Sequence, residues 1–464
     1  MTPSSKPPSL RRKMSQAQLR YLAVAWVAVT IIVGICIFAA LFWALGGGFG
    51  NNGGDVVAEE APADTPAAEE PSSEPEPEPE SEELPEGEGT GGGGDGELSA
   101  PLPGSESGLG YGVQIQAINT GDPNYWMELV TGGIGFDWIK HQFQWGVYGA
   151  AGPDQFDWSG YDPMMEAAAS HDLKVMLSVI GAPPWSRVLG GTDGPPDDYQ
   201  LYADFMATLI DRYPGQIQAI EVWNEQNLDR DWHAGDLTLA EPDAVEYVRL
   251  LRIAYETIKA KDSSIMVISG ALSPTGGGAA ADGRVTAIDD IVYLQWMVNA
   301  GMLNYADCVG LHHNGINVPP DMAFDAAPTS AEAHTWSFRG PADNPHHSWS
   351  MFSTITGYHD IVGDTPLCIT EFGWPSREGL NEDLIVRQGF EFAVDNTQAE
   401  QTQYVTRAFE MFRELGYIRL AFLYNLNLYF INDLASSDNV YWALLDSNGA
   451  PRPVFSAVAE MPKP

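Results

Sequence analysis

The segment QAIEVWN at residues 218–224 is a short run of mostly apolar, β-branched and aromatic side chains that ends in a polar residue. Such a run predicts a buried strand. Seven further runs of this kind recur along the chain, at residues 112–117, 135–140, 174–180, 265–269, 307–312, 366–371 and 419–425. Amphipathic helical patterns lie between them, and the clearest are at residues 199–213, 243–261 and 400–415.

Strands that alternate with helices form a parallel sheet, and eight such repeats predict closure into a (β/α)8 TIM barrel of the α/β class over residues 109–464. The alternative is a doubly wound open sheet. Against that alternative, the first predicted strand continues as GVQIQAINTGDPN at residues 112–124, which contains neither a GxGxxG nor a GxxxxGK[ST] phosphate loop.

The chain before the barrel has a different composition. Residues 21–45, YLAVAWVAVTIIVGICIFAALFWAL, carry no charge, and a helix of that length is about 37 Å long, enough to cross a hydrocarbon layer of ~30 Å. Basic residues lie only on its N-terminal side, so the positive-inside rule predicts that residues 1–20 are cytoplasmic and the barrel is extracellular. Residues 46–108 consist of Gly runs and Pro-Glu alternation, which predict a disordered acidic linker. The sequence therefore predicts a single-pass plasma-membrane protein whose partner is the lipid bilayer, through residues 21–45.

Charge and cysteine content restrict the function further. The 63 acidic residues outnumber the 23 basic ones, and the net charge of −40 disfavours binding to a nucleic-acid backbone.

Of the three cysteines, Cys36 lies in the predicted membrane span, and Cys308 and Cys368 fall on the adjacent sixth and seventh predicted strands. We expect those two to be core thiols, and whether they form a disulfide is left open because the sequence gives no geometry.

Two glutamates stand where predicted strands end. Strand four ends in WNEQN with Glu225, and strand seven ends in TEFGW with Glu371. In a (β/α)8 barrel the chemistry lies at the carboxyl ends of the strands, so these two side chains can face each other across the barrel mouth. Two carboxylates beside aromatic rings are what glycosidic cleavage requires: one protonates the leaving oxygen, and the other attacks or stabilises the sugar centre.

The pair WNEQN and ITEFGW, in this order and spacing, resembles the clan A retaining glycoside hydrolases, which are (β/α)8 enzymes. The segments FDWSGYD at 156–162, GAPPW at 181–185 and HHNG at 312–315 are similar to segments of families 5 and 39. By this resemblance Glu225 is the acid/base, Glu371 is the nucleophile and Asn224 binds the sugar's 2-hydroxyl. No cofactor is implied.

The two carboxyls also restrict each other's ionisation. At the ~5 to 5.5 Å separation of a retaining site, ionising both costs roughly 3 kcal/mol at an effective dielectric of 20. We therefore expect one of them, the acid Glu225, to stay protonated until Glu371 is consumed in the glycosyl ester.

The chain departs from the resembled pattern at several positions. His312 matches a substrate-site histidine, but His313 and Asn314 follow it, so the Tyr that touches the nucleophile in such enzymes is missing. Lys140 stands where an Arg is common, and Tyr424 replaces a Trp platform after strand eight.

Four tryptophans at or beyond strand ends are each either a sugar platform or a cap on the barrel core: Trp145, Trp185, Trp223 and Trp374.

Residues 314–350 form a long insertion after strand six, which we expect to be a lid or cleft wall. It contains His346 and His347, which lack the i, i+4 spacing and the HExxH motif of a catalytic zinc site, so we predict no metal. Structural calcium in Asp-rich loops is left open.

The sequence thus predicts a membrane-anchored extracellular retaining glycoside hydrolase acting on an oligo- or polysaccharide. Two alternatives remain open: a catalytically silent barrel that binds polysaccharide, and a transglycosylase that remodels cell-surface glycans. The sugar and its linkage do not follow from these motifs, because fold does not fix function.

Overall fold

The computed structural model describes residues 108–188, 194–233, 237–380, 386–387, 389–428 and 438–464. The predicted cytoplasmic segment, the membrane span at residues 21–45 and all of the linker except Gly108 lie outside these residues. Within the described ranges, no helix is both long and apolar enough to cross a bilayer.

Among the described residues, eight parallel strands form one sheet in the order β5-β4-β3-β2-β1-β8-β7-β6. The strands are β1 Gly110–Gln114, β2 Trp138–Gln144, β3 Lys174–Ile180, β4 Ile217–Val222, β5 Met266–Ser269, β6 Val309–Asn314, β7 Leu367–Gly373 and β8 Ile418–Leu423. Two parallel bridges, Ile268 to Cys308 and Leu272 to Leu311, join β5 to β6 and close the sheet. The predicted barrel is confirmed, and the doubly wound open sheet is excluded.

Helices follow the strands and cover the outside of the barrel. The barrel helices are α1 Pro123–Glu128, α2 Tyr161–Ser170, α3 Tyr199–Arg212, α4 Glu241–Lys261, α5 Asp290–Asn299, α6 Met351–Val362, α7 Gln398–Leu415 and α8 Pro453–Glu460. Short helices in the loops span Trp145–Tyr148, Asp229–Trp232, Gly340–Asp343 and Phe392–Asp395, and a two-stranded hairpin pairs Gly278–Ala279 with Val285–Ala287.

Local sequence explains where these helices begin and end. α7 begins with a capping box, in which Thr397 accepts from the Glu400 amide and the Glu400 carboxylate accepts from the Thr397 amide. It ends at Gly416, whose φ of 74° is left-handed and suits glycine. α5 begins at the N-cap Asp289, whose carboxylate accepts from the Val292 amide.

The barrel interior near the amino ends of the strands is apolar. We call this cluster the lower layer; it comprises Trp138, Met176, Ala219, Ile268, Cys308, Cys368, Leu420 and Phe422. Cys308 and Cys368 form a disulfide with a Cα–Cα distance of 5.8 Å. The question that the sequence left open is thus answered by the pairing of β6 with β7, which brings the two residues together inside the barrel.

The insertion at residues 314–350 has a core of its own. Ile316, Val318 and Trp336 pack with Phe392, which follows β7, and with Trp442, which follows β8. Because all of these segments leave the carboxyl ends of their strands, the insertion builds up one side of the barrel mouth, in agreement with the expected cleft wall.

Candidate active site

The turn after β4 aims Glu225 into the barrel mouth through an unusual backbone. Trp223 and Glu225 both have positive φ, 76° and 47°, in a region that non-glycine residues rarely adopt. The Glu225 amide donates to the Ala271 carbonyl at 2.8 Å, and the Trp223 indole donates to the Asp231 carbonyl at 2.9 Å. Strained backbone of this kind persists only where the surroundings enforce it, which is common at functional sites.

Glu371 reaches the interior because β7 carries one extra residue. In the pairing with β6, Leu311 faces Ile369 and His312 faces Glu371, so that Thr370 is skipped. β8 shows a register shift at the same place. Thr370 and Glu371 therefore both contact interior side chains, while Phe372 packs outward against Phe409 of α7. A bulge re-aims side chains in this way.

His312 connects the two carboxylates. Its Nδ1 lies 3.1 Å from Glu225 Oε1 and 4.0 Å from Glu371 Oε2. Taken end to end, these distances place the two oxygens at most about 7 Å apart. Glu225 and Glu371 therefore lie in one site, as predicted, although three βα units separate them in the sequence.

Beneath this pair lies a group of buried charges that we call the charged layer, made of Lys140, Glu221 and His312. Lys140 Nζ lies 2.9 Å from Glu371 Oε1 and 3.5 Å from Glu221 Oε2, and Lys140 and Glu221 are fully buried. Thr370 donates its hydroxyl to Glu221 Oε1 at 2.6 Å. Lys140 is thus the cation shared by Glu371 and Glu221, and it holds Glu371 against β2.

The electrostatics of the site favour the charged forms of both His312 and Glu225. Burial lowers the pKa of His312, but Glu371 and Glu225 raise it more, and the net result is a raised pKa. Burial raises the pKa of Glu225, but His312 and Arg230 outweigh burial and lower the pKa to about 2. This differs from the expected neutral Glu225, because the three acids of the site face three cations: Lys140, His312 and Arg230.

Asn314 occupies the position of the missing tyrosine, two residues after His312. Its amide Nδ2 lies 3.3 Å from Glu371 Oε2, so Glu371 has a donor on each carboxylate oxygen, Lys140 on one and Asn314 on the other. An amide donor does not titrate, whereas a tyrosine hydroxyl does.

Two further predicted residues line the site. Asn224 is buried, and its Oδ1 has no hydrogen-bond partner among the described residues. Tyr424 is nearly buried, and burial together with the charges of Glu371 and Glu225 raises its pKa well above the ordinary value. Tyr424 therefore stands in the field of both carboxylates and remains a neutral hydroxyl donor.

The tryptophans divide into two groups. Trp145, Trp223 and Trp374 are each about 1% exposed, and the Trp374 indole donates to the Val318 carbonyl at 2.8 Å. Trp185 is half-buried, and its indole donates to the Gly149 carbonyl at 2.8 Å. The insertion covers the ring of Trp374, which favours the core cap among the two roles expected for it. Trp185 keeps an exposed surface.

Sequence reasoning missed Glu221, Thr370 and Arg230. Glu221 had a visible signal, since a charged residue in the middle of an apolar strand requires a buried partner. Thr370 depends on the bulge, and Arg230 depends on the short helix Asp229–Trp232 folding back so that its guanidinium lies 2.9 Å from Glu225 Oε2. Neither arrangement is encoded in the spacing of residues.

Comparison with known proteins identifies the fold. No family model and no curated protein matches the chain. Among solved structures, a family 39 glycoside hydrolase from Bacteroides cellulosilyticus superposes with a TM-score of 0.50 at 17% identity, covering 75% of this chain and 62% of that one. This chain thus spans less than two thirds of the length of that structure.

Two further structures are similar at lower scores. A psychrophilic family 10 endo-β-1,4-xylanase has a TM-score of 0.48 at 15% identity, covering 76% of this chain and 97% of that one. An exo-β-1,4-mannosidase from an Opitutaceae bacterium has a TM-score of 0.46 at 13% identity, covering 76% and 58%. The barrel fold predicted from the eight strand repeats agrees with the fold of the family 39 structure.

Proposed function

We propose that the barrel is a retaining glycoside hydrolase acting on β-linked oligo- or polysaccharides, with Glu225 as acid/base and Glu371 as nucleophile. One observation carries this proposal: both carboxylates contact His312, which limits their nearest oxygens to about 7 Å. That limit on the two nearest oxygens is compatible with the ~5 to 5.5 Å carboxyl separation of retaining sites.

In the first step, Glu371 attacks the anomeric carbon and forms a glycosyl ester, while Glu225 gives a proton to the departing oxygen. In the second step, Glu225 takes a proton from water, whose oxygen attacks the anomeric carbon and releases Glu371 as a carboxylate. Lys140 and Asn314 hold the two oxygens of Glu371 in position for the attack.

The proton for the first step comes from within the site. Glu225 is ionised in the free site, and His312, with its raised pKa, holds a proton 3.1 Å away. A sugar bound against Glu225 excludes water and weakens the contact with the exposed Arg230, and both changes raise the pKa of Glu225. The proton then moves from His312 Nδ1 to Glu225 Oε1.

We further propose that residues 21–45 anchor the enzyme in the plasma membrane with the barrel outside. The charge-free run, the basic residues before it and the acidic linker after it support this topology. The Cys308–Cys368 disulfide is typical of an oxidising, extracytoplasmic environment. Protease added to intact cells should cleave the barrel domain; protection until the cells are lysed would refute the topology.

The activity is tested by release of reducing sugar from a panel of β-linked glycans. Full-length protein is compared with Glu371→Gln and with Glu332→Gln, an exposed glutamate in the insertion that serves as the matched control. We expect release by wild type and Glu332→Gln, and none by Glu371→Gln. Retention of all three proteins on an insoluble glycan without any release would favour the silent binding barrel, and chain-length redistribution without net release would favour the transglycosylase.

A further inference from the structure

A second cluster of potential ligands lies away from the two carboxylates. Asp289, the N-cap of α5, meets His346 and His347 at the end of the insertion, and one ligand atom from each residue lies within 4.8 Å of the other two. We propose that these three side chains bind a zinc ion that fastens the insertion to the start of α5. This inference is independent of the glycosidase activity.

The contacts of Asp289 leave one oxygen for a metal. Its Oδ1 accepts from the Val292 amide at 3.0 Å and caps α5, while its Oδ2 lies 3.1 Å from His346 Nε2. Zinc bonds to nitrogen and oxygen are about 2.1 Å long, so tetrahedral ligands lie about 3.5 Å apart. The approach of Asp289 to His346 is therefore already close to the separation that zinc requires.

The two imidazoles lie side by side. Their ring centroids are 4.2 Å apart, and His347 Nε2 lies 3.0 Å from Oδ1 of the buried Asp290. His346 Nδ1 lies 2.9 Å from the Ser348 hydroxyl and accepts from the Ser348 amide at 3.3 Å, and these contacts orient the ring with Nε2 toward Asp289. One ligand atom from each of the three residues therefore already lies within 4.8 Å of the other two.

The donor set selects the metal. Two imidazole nitrogens and one carboxylate oxygen suit zinc, whereas magnesium and calcium prefer oxygen ligands. The side chains of Asp289, His346 and His347 are 22%, 32% and 17% exposed, so an ion can reach them and water can complete the coordination. The adjacent histidines alone do not predict this site from the sequence, because the third ligand, Asp289, lies 57 residues before His346 and is placed beside the histidines only by the fold.

The test measures zinc binding directly. Untagged full-length protein is purified in a mild detergent, stripped with a chelator, dialysed and titrated with zinc chloride by calorimetry, with magnesium chloride as the comparison. We expect one zinc ion per chain, a rise in Tm and no response to magnesium. Removal of an outer-shell partner alone typically weakens binding about 10- to 100-fold, so loss of a ligand should weaken it by at least about 100-fold.

Two variants and one control localise the ion. Asp289→Asn removes the carboxylate but keeps a residue that caps α5 nearly as well. His346→Gln removes one imidazole, and His334→Gln removes an exposed imidazole from the same insertion as the control. We expect the first two to lose binding and the third to retain it, and should His346→Gln fail to fold, Asp289→Asn decides the matter.

Two results would overturn the proposal. In the first, wild-type protein folds but binds no zinc, and Asp289→Asn lowers the Tm by the same amount with and without zinc. The cluster would then consist only of two His–Asp ion pairs. The other is binding that survives both ligand variants, which would place the zinc elsewhere.

Discussion

On β2 and β4, a step of two residues separates the lower layer from the charged layer. Trp138 is followed by Lys140 on β2, and Ala219 is followed by Glu221 on β4. Inward-facing side chains recur every second residue, so the barrel interior changes from apolar to charged between two successive inward-facing positions. The same strands therefore stabilise the barrel at one level and position reactive groups at the next.

The largest expected difference between the layers is in turnover. Glu371→Gln keeps the shape of the side chain but removes the nucleophile, so kcat should fall by about 10⁴-fold or more. Thermal unfolding should show a folded protein. In the lower layer, Met176→Leu should leave kcat unchanged, and equal losses of activity in both variants would remove the distinction between the layers.

The next largest effect is on stability. Lys140→Met removes the cation between two buried carboxylates, which should cost about 3–5 kcal/mol of unfolding free energy. Urea denaturation measures this change. The double variant Lys140→Met/Glu221→Gln should recover part of the loss, because one of the unpaired charges is then gone. A single variant as stable as wild type would mean that these charges are not buried in solution.

In the lower layer the disulfide should act on stability alone. Cys308→Ala/Cys368→Ala should lower the unfolding free energy by about 2–4 kcal/mol, because the unfolded chain loses a cross-link. Below the melting temperature, kcat should stay within about twofold of wild type, as followed by steady-state hydrolysis. A large fall in kcat without loss of stability would show that the lower layer takes part in the chemistry.

The smallest effect concerns the rim of the charged site. Arg230 is 69% exposed and helps His312 to hold the pKa of Glu225 low. Arg230→Gln removes a positive charge beside the coupled Glu225–His312 pair, so the pair keeps its proton to higher pH and the basic limb of kcat/KM moves to higher pH. Because exposed ion pairs are weak, the shift should be less than about one pH unit. A shift to lower pH would contradict the assignment of Glu225 as the acid.

Sequence patterns predicted the strands well because buried parallel strands are continuous apolar runs. Every one of the eight predicted runs overlaps a barrel strand, and Glu225 and Glu371 are predicted because they stand at or just beyond the ends of two of these runs. A two-residue alternation does not predict that Glu371 points inward, because the bulge at Thr370 shifts the register. The lowered pKa of Glu225 differs from the neutral acid expected from the two carboxyls alone, because the fold brings His312 and Arg230 beside it.

The most direct test of the central claim is to trap the covalent intermediate. A 2-deoxy-2-fluoro glycoside with an activated leaving group, built on the sugar that the glycan panel identifies, is incubated with the protein, and the labelled peptide is located by mass spectrometry. We expect one sugar attached to Glu371, with labelling abolished in Glu371→Gln and retained in Glu332→Gln. A label on Glu225, or turnover of the reagent with inversion and no label, would exclude Glu371 as the nucleophile of a retaining reaction.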